Sequence, residues 1–425
     1  MDRRRYQTTG FPSTVHLGDL SSDITCEFVT LKAEDGGVSR GILYTKKGTK
    51  PKTVVTMMHP RTDHTLNYTA PMLAQAGFAA FGRSSRWVNN DVATIHETLL
   101  FDVAAGMKFL RDRGFEKVVF LGNSGGGSLF TFYQNQVVTP PPKRLADTPA
   151  GDPINLNGAT LLPGDGVVFL AAHIGEGETM LHLIDPSVTD EGDPLSCDAT
   201  LDMYNPANGF RTPPEQSRYS PEFLARYRAA QAARVARLDA LARHYLTEQR
   251  YYQEVLQDSS FSRLLPERQA FVQRRAALGR YMVIYRTEAD PAMCDLSIDP
   301  SDRDIGSLVS LRPDVDNYAE WGFGRYLTPR AWLSTWSANT SRAEVLHNIG
   351  KVTVPTLVVY YTGDNCIYPG ETRRLFEASP ATDKQLHAVE GDHFGLPLRN
   401  RPNHPGGREP ALKIITDWLK ERFPR

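Results

Sequence analysis

Lys117-Val118-Val119-Phe120-Leu121-Gly122-Asn123-Ser124-Gly125-Gly126-Gly127-Ser128 is a short apolar run that ends among glycines flanking a serine. Its first half has the composition of a buried strand, and its second half has the spacing G-x-S-x-G. In that pattern the serine sits on a strained turn between strand and helix, which holds its hydroxyl clear of the sheet. Gly122 and Gly126 are the positions where a side chain would clash. Ser124 is therefore the candidate nucleophile, although a plain glycine-rich turn opening a helix fits these five residues equally well. The rest of the chain decides between the two.

Upstream of the run, residues 92–113 place Ile95, Leu99, Val103, Met107 and Leu110 at spacings of three and four, a helical pattern stopped by Gly114. Nearer the amino end, residues 24–32, 41–45 and 53–58 read as two hairpin-paired strands followed by a more buried one. Residues 68–76 have helical spacing and 78–81 are again strand-like, so strand, helix and strand indicate a parallel unit. Downstream, residues 129–136 continue as a helix, the proline-rich stretch to residue 163 reads as loop, and residues 166–172 form the next strand. From His173 to about residue 345 strand-like runs nearly vanish, and helices are expected over 221–257 and 266–287. The βα rhythm resumes with a strand at 356–361, a helix at 370–378, a strand at 384–389 and a helix at 410–422.

These elements define an α/β fold with a mainly parallel central sheet flanked by helices. The expected core is discontinuous, residues 1–175 and 345–425, and residues 176–344 form an inserted helical cap. Charge excludes several roles for it. Forty-eight basic against 49 acidic residues in 425 give no global field toward nucleic acid or an anionic membrane. The four cysteines, Cys26, Cys197, Cys294 and Cys366, are widely separated and fit neither a zinc site nor a disulfide framework. Residues 1–7 are basic but lead into no apolar secretory core, and no run approaches a membrane span. A cytoplasmic protein acting on a small molecule, without metal or cofactor, is the expectation; a homodimer is left open.

A serine hydroxyl is a poor nucleophile at neutral pH and needs a histidine to take its proton and a carboxylate to orient that histidine. Asp364 follows the strand at 356–361, and His393 follows the strand at 384–389 in Gly391-Asp392-His393. Both fall in loops at the carboxyl ends of successive parallel strands, the edge where Ser124 also emerges and where open α/β sheets bind ligands. Asn365, one residue on, and Glu176, one strand earlier, are rivals for the acid. Asp392 is expected to fix its own loop.

The sequence resembles the α/β-hydrolase family in Gly122-Asn123-Ser124-Gly125-Gly126, in the Gly363-Asp364 loop ending at Pro369, in Gly391-Asp392-His393, and in the chain order Ser, Asp, His. The resemblance implies a triad of Ser124, Asp364 and His393. It also implies an oxyanion hole made by the backbone N–H groups of Gly125 and of the residue after a His-Gly pair at the end of the third strand. Here that segment reads His59-Pro60-Arg61, which makes the Arg61 N–H the second donor. A helical cap after the sixth strand is a habit of the family.

A cap over the active edge would shield an acyl-enzyme from water and wall off a pocket for a bulky, mainly apolar substrate. His59, His173, Trp321 and Tyr326 are its candidate lining residues, with Tyr281, Tyr285, Phe323, Trp332 and Trp336 as further aromatic candidates. Arg83 and Arg86 invite an anion-binding reading, but arginines in such loops more often tie loops to carboxylates. The arginines of 221–257, Arg226, Arg228, Arg234, Arg237 and Arg243, are expected on a solvated face. The resulting expectation is a serine hydrolase cleaving a carboxylic ester or lactone. Amide or C–C bond hydrolysis by the same triad, and a non-catalytic small-molecule receptor on the same fold, are the alternatives.

Overall fold

The computed structural model describes residues 12–425, so the reading of residues 1–7 lies outside the described residues. Ten strands are labelled in chain order: β1 Ile24–Lys32, β2 Val38–Lys46, β3 Thr53–Met58, β4 Ala79–Arg83, β5 Lys117–Asn123, β6 Gly166–Leu170, β7 Met282–Val283, β8 Tyr326–Leu327, β9 Thr356–Tyr361 and β10 Lys384–Val389. Eight of them form one sheet in the order β1-β2-β4-β3-β5-β6-β9-β10. Only β2 runs against its neighbours; every pair from β4 to β10 is parallel.

The central strands are buried on both faces, which explains why they read as continuous apolar runs rather than alternating ones. Side chains still alternate between two cores. Val54, Val118, Phe120, Val167 and Phe169 pack on one face. Val55, Met57, Val119, Leu121, Val168 and Leu170 pack on the other. Helices Thr69–Gln75 and Arg408–Arg422 cover the second face, and His96–Asp112 and Gly126–Val138 the first.

The chain leaves β3 toward β4 on one side and returns through β5 on the other, so the strand order reverses beside β5. That switch point opens a crevice at the carboxyl ends of the parallel strands.

Between β6 and β9 the chain is mostly helix and loop. Helix Pro221–Gln257 starts as its sequence dictates: Pro221 occupies the first turn, and the Ser220 hydroxyl oxygen accepts the Phe223 N–H at 3.1 Å. Two expectations need correction here. The helix expected to reach residue 287 ends at Ala277, because the chain past Gly279 pairs β7 with β8 instead. Arg234 is not on a solvated face but buried, donating to Glu191 and to the Asp185 carbonyl, and Arg228 holds Asp290 at 2.6 Å. Arg226, Arg237 and Arg243 are exposed as expected. Trp332 and Trp336 pack with Val235 and Leu238 in this segment's own core. Among the described residues no helix is long and apolar enough to cross a membrane, and none of the four cysteines is in a disulfide.

Candidate active site

Ser124 follows β5 directly and has φ of +53°, a left-handed conformation that residues with side chains rarely hold. Its N–H donates back to the Ala171 carbonyl at 3.1 Å, which pins the turn to the end of β6. The glycines around it have no room for a side chain. A Cβ on Gly122 would lie 2.5 Å from Gly127 backbone atoms, and one on Gly126 would lie 2.6 Å from the Met58 carbonyl oxygen. The turn is therefore the strained strand-to-helix elbow that the sequence pattern implies.

Two other strand ends converge on it. Ser124 and His393 line one small cavity of about 50 Å³, together with His59, His64, His173 and Glu176. His393 Nδ1 lies 2.7 Å from Asp364 Oδ2. The other Asp364 oxygen accepts the N–H groups of Cys366 and Ile367, at 2.7 and 3.0 Å, so the carboxylate is fixed from both sides. Burial lowers the basicity of His393, but the charge and hydrogen bond of Asp364, with Asp392 adding, raise it further, and the net shift is upward. Ser124 Oγ and the His393 ring share the cavity without a hydrogen bond between them, a looseness common before substrate tightens such a site.

The rivals for the acid role are otherwise engaged. Asn365 donates to the carbonyls of Asp304 and Gly306. Asp392 accepts the N–H groups of Phe394 and Leu396, fixing its loop. Glu176 sits against Ser128 Oγ at 3.2 Å and near His96 and His173, not His393.

Among the described residues no acceptor takes the Gly125 N–H. The Arg61 N–H is not free: it donates to His59 Nδ1 at 3.0 Å, as does the Thr62 N–H at 3.1 Å. Proline at position 60 turns the chain so that His59 caps its own loop. The Arg61 side chain matters instead. Its guanidinium pairs with both Asp91 oxygens and lies over the rings of Trp336 and Phe323, 4.7 and 5.1 Å from their centroids.

His59, His173 and Glu176 are buried, and one ring nitrogen of each histidine and a Glu176 carboxylate oxygen lie within 4.8 Å of one another, a spacing that can suit a metal ion. The tautomers argue against one. His59 Nδ1 accepts two backbone N–H groups and His173 Nδ1 accepts the Gly175 N–H at 3.1 Å, so in each ring the proton is on Nε2. A metal-bound histidine instead donates from its second nitrogen. Burial depresses the basicity of both rings, His173 to about 3, so they stay neutral. Burial also pushes the Glu176 carboxyl up to about 7. The cluster thus presents two neutral N–H donors beside Gly125, where a Cβ would meet His59 Nε2 at 2.9 Å and His173 Nε2 at 3.1 Å.

Of the expected lining residues, His59 and His173 are in the cavity; Trp321 and Tyr326 are not. Tyr326 is half exposed and faces a separate surface hollow beside Tyr318 and Arg325, because the β8 pleat turns its neighbour Leu327 inward. Trp321 packs on Phe323, and it is Phe323 and Trp336 that reach the cavity. His64, Leu308, Cys366 and Phe394 line it as well, and no sequence pattern marks them. Arg83 and Arg86 bind no free space: Arg83 is buried against the Asp102 carbonyl, and Arg86 bridges Asp35 and Asp102.

No family model matches the sequence, and no curated protein matches it. Solved structures do resemble it. DcsB, solved with a substrate analogue, superposes with a TM-score of 0.50 at 12% identity, over 93% of this chain and 99% of that one. The alpha/beta hydrolase GrgF from Penicillium sp. sh18 superposes with a TM-score of 0.47 at 12% identity, over 94% and 99%. For the esterase domain of a Rhodothermus marinus protein the values are 0.42 and 10%, over 93% and 98%.

Proposed function

We propose that this chain, whose fold is that of the α/β hydrolases, is a serine hydrolase that cleaves a carboxylic ester or lactone through an acyl-enzyme on Ser124. One observation carries the reading. A serine held at positive φ shares a small cavity with a histidine whose far nitrogen is paired to a fixed carboxylate.

In this reading His393 Nε2 takes the Ser124 proton as Oγ attacks the ester carbonyl, and Asp364 stabilises the imidazolium that forms. The Gly125 N–H faces the developing oxyanion. The neutral Nε2–H groups of His59 and His173 lie beside Gly125, next to Glu176 Oε1, and supply further donors. His393 then returns the proton to the leaving alkoxide, and water repeats the sequence on the acyl-enzyme. Phe323, Trp336 and Phe394 keep bulk water from the intermediate.

Residues 176–344, between β6 and β9, are the proposed cap over the core. They supply one wall of an adjoining cavity of about 440 Å³, large enough for a small organic substrate. A screen of ester, lactone, amide and β-diketone substrates with product analysis tests the proposal. Turnover of esters or lactones that disappears in Ser124→Ala supports it; Ser124-dependent cleavage of only amides or diketones would reassign the bond.

A further inference from the structure

Arg61 is the one arginine or lysine among the described residues that line the cavity over Ser124. It is 9% exposed, and its guanidinium is held between Asp91 and the rings of Trp336 and Phe323, which line the same cavity.

The pairing with Asp91 uses only one corner of the guanidinium. Nη1 alone donates to both carboxylate oxygens, at 2.9 and 2.8 Å, where a full fork would use two nitrogens. Nε is buried without a partner. Nη2 also donates to no group among the described residues, but unlike Nε it is not sealed from open space. An arginine that only ties loops together spends its donors on them, as Arg86 does on Asp35 and Asp102.

Charge points the same way. Asp91 is 27% exposed against 11% for the Arg61 side chain, so water screens the anion more than the cation. The cation acts on the cavity: it lowers the basicity of His59 and His173 and counters the upward push of burial on Glu176. Burial keeps His59, His64 and His173 neutral. A fixed cation with a donor to spare therefore stands beside the nucleophile, and neither the triad nor the oxyanion donors give it a task.

Resting on the hydrolase reading above, we propose that Arg61 binds a carboxylate carried by the substrate. The substrates are then half-esters of dicarboxylic acids, or other esters and lactones with a carboxylate a short spacer from the scissile carbonyl. Nη2 donates to that carboxylate, Asp91 fixes the guanidinium through Nη1, and the two rings shield the pair from bulk water. The cavity of about 50 Å³ keeps the spacer short.

Two series of esters test this. In the first, monoethyl succinate and monoethyl glutarate are compared with ethyl esters in which isopropyl or an ammonium group replaces the carboxylate. In the second, the butyrate ester of β-hydroxypropionate is compared with that of isoamyl alcohol. In at least one series the wild type should favour the carboxylate over the isopropyl end by roughly tenfold or more in kcat/KM, and the ammonium end should fare worst. Arg61→Met should erase that preference, and Arg61→Lys, which keeps a point charge, should retain part of it. A purely structural arginine would lower both members of a pair alike and leave their ratio unchanged. A ratio that survives Arg61→Met, or a wild type that does not prefer the carboxylate, overturns the proposal. Should no ester be turned over, the hydrolase reading fails by itself. Calorimetry with glutarate and glutaramide then decides the subsite, as it does if neither variant folds. Glutarate bound roughly tenfold or more tightly than glutaramide by the wild type supports it, and no binding or equal binding overturns it.

Discussion

Asp364 Oδ2 lies 2.7 Å from His393 Nδ1, the ring nitrogen expected to face away from Ser124. Asp364→Asn keeps a side chain able to accept the Cys366 and Ile367 N–H groups but favours the wrong imidazole tautomer and removes the balancing charge. Turnover should fall by a factor on the order of a thousand or more, with KM little changed. Glu176→Gln should cost far less. Steady-state kinetics on one soluble ester compare the two, and a collapse in Glu176→Gln beside a nearly active Asp364→Asn would transfer the acid role.

The same pair sets the pH dependence. Only neutral His393 can accept the serine proton, and its basicity is shifted upward from an ordinary value of 6.5. The rate should therefore rise with pH through a midpoint above 6.5. In Asp364→Asn, without the carboxylate charge, the residual activity should have a lower midpoint. A wild-type profile flat from about pH 5 to 8 contradicts the base assignment.

Much of this site is legible in the sequence because it lies where backbone rules are strict. Strands β1, β3, β9 and β10 have the bounds their apolar runs and glycines predict, and Ser124, Asp364 and His393 come one, three and four residues after the ends of β5, β9 and β10, so topology alone gathers them at one edge. The pocket walls are another matter. Phe323 and Trp336 reach the cavity while Trp321 and Tyr326 do not, and all four lie in short irregular pieces. Those pieces are too short for a period to be read from the sequence, and tertiary packing decides which face of each is turned inward. The family pattern points to the Arg61 N–H as a donor, but the His59 ring takes that N–H.

The elbow's glycines give a stability prediction. A Cβ on Gly122 would lie 2.5 Å from backbone on the facing turn, which has no flexible end to move aside. Gly122→Ala should cost about 1–3 kcal/mol and most of the activity. Gly350→Ala, where a Cβ meets nothing within 4 Å, serves as the control and should leave both intact. Thermal melts and ester turnover read the two variants side by side.

Glu97 links stability to pH. It is buried with Oε2 accepting from Ser334 Oγ at 2.6 Å and Oε1 unpaired among the described residues, and burial pushes its carboxyl from 4.5 up to about 7. A folded value above the unfolded one means the contribution is fully present below pH 4.5 and is lost as pH rises through 7. Glu97→Gln should thus melt close to the wild type at pH 5 and above it at pH 9. A difference in Tm that does not change between the two would contradict this.

The central claim is that Ser124 is an activated nucleophile, and covalent labelling tests it most directly. A fluorophosphonate should add to the wild type with one-to-one stoichiometry, and intact-mass and peptide mass spectrometry should place it on the peptide containing Ser124. His393→Ala should slow the labelling by orders of magnitude, and Ser124→Ala should abolish it. Labelling that persists in folded Ser124→Ala, or a folded wild type that resists the reagent altogether, would contradict the account.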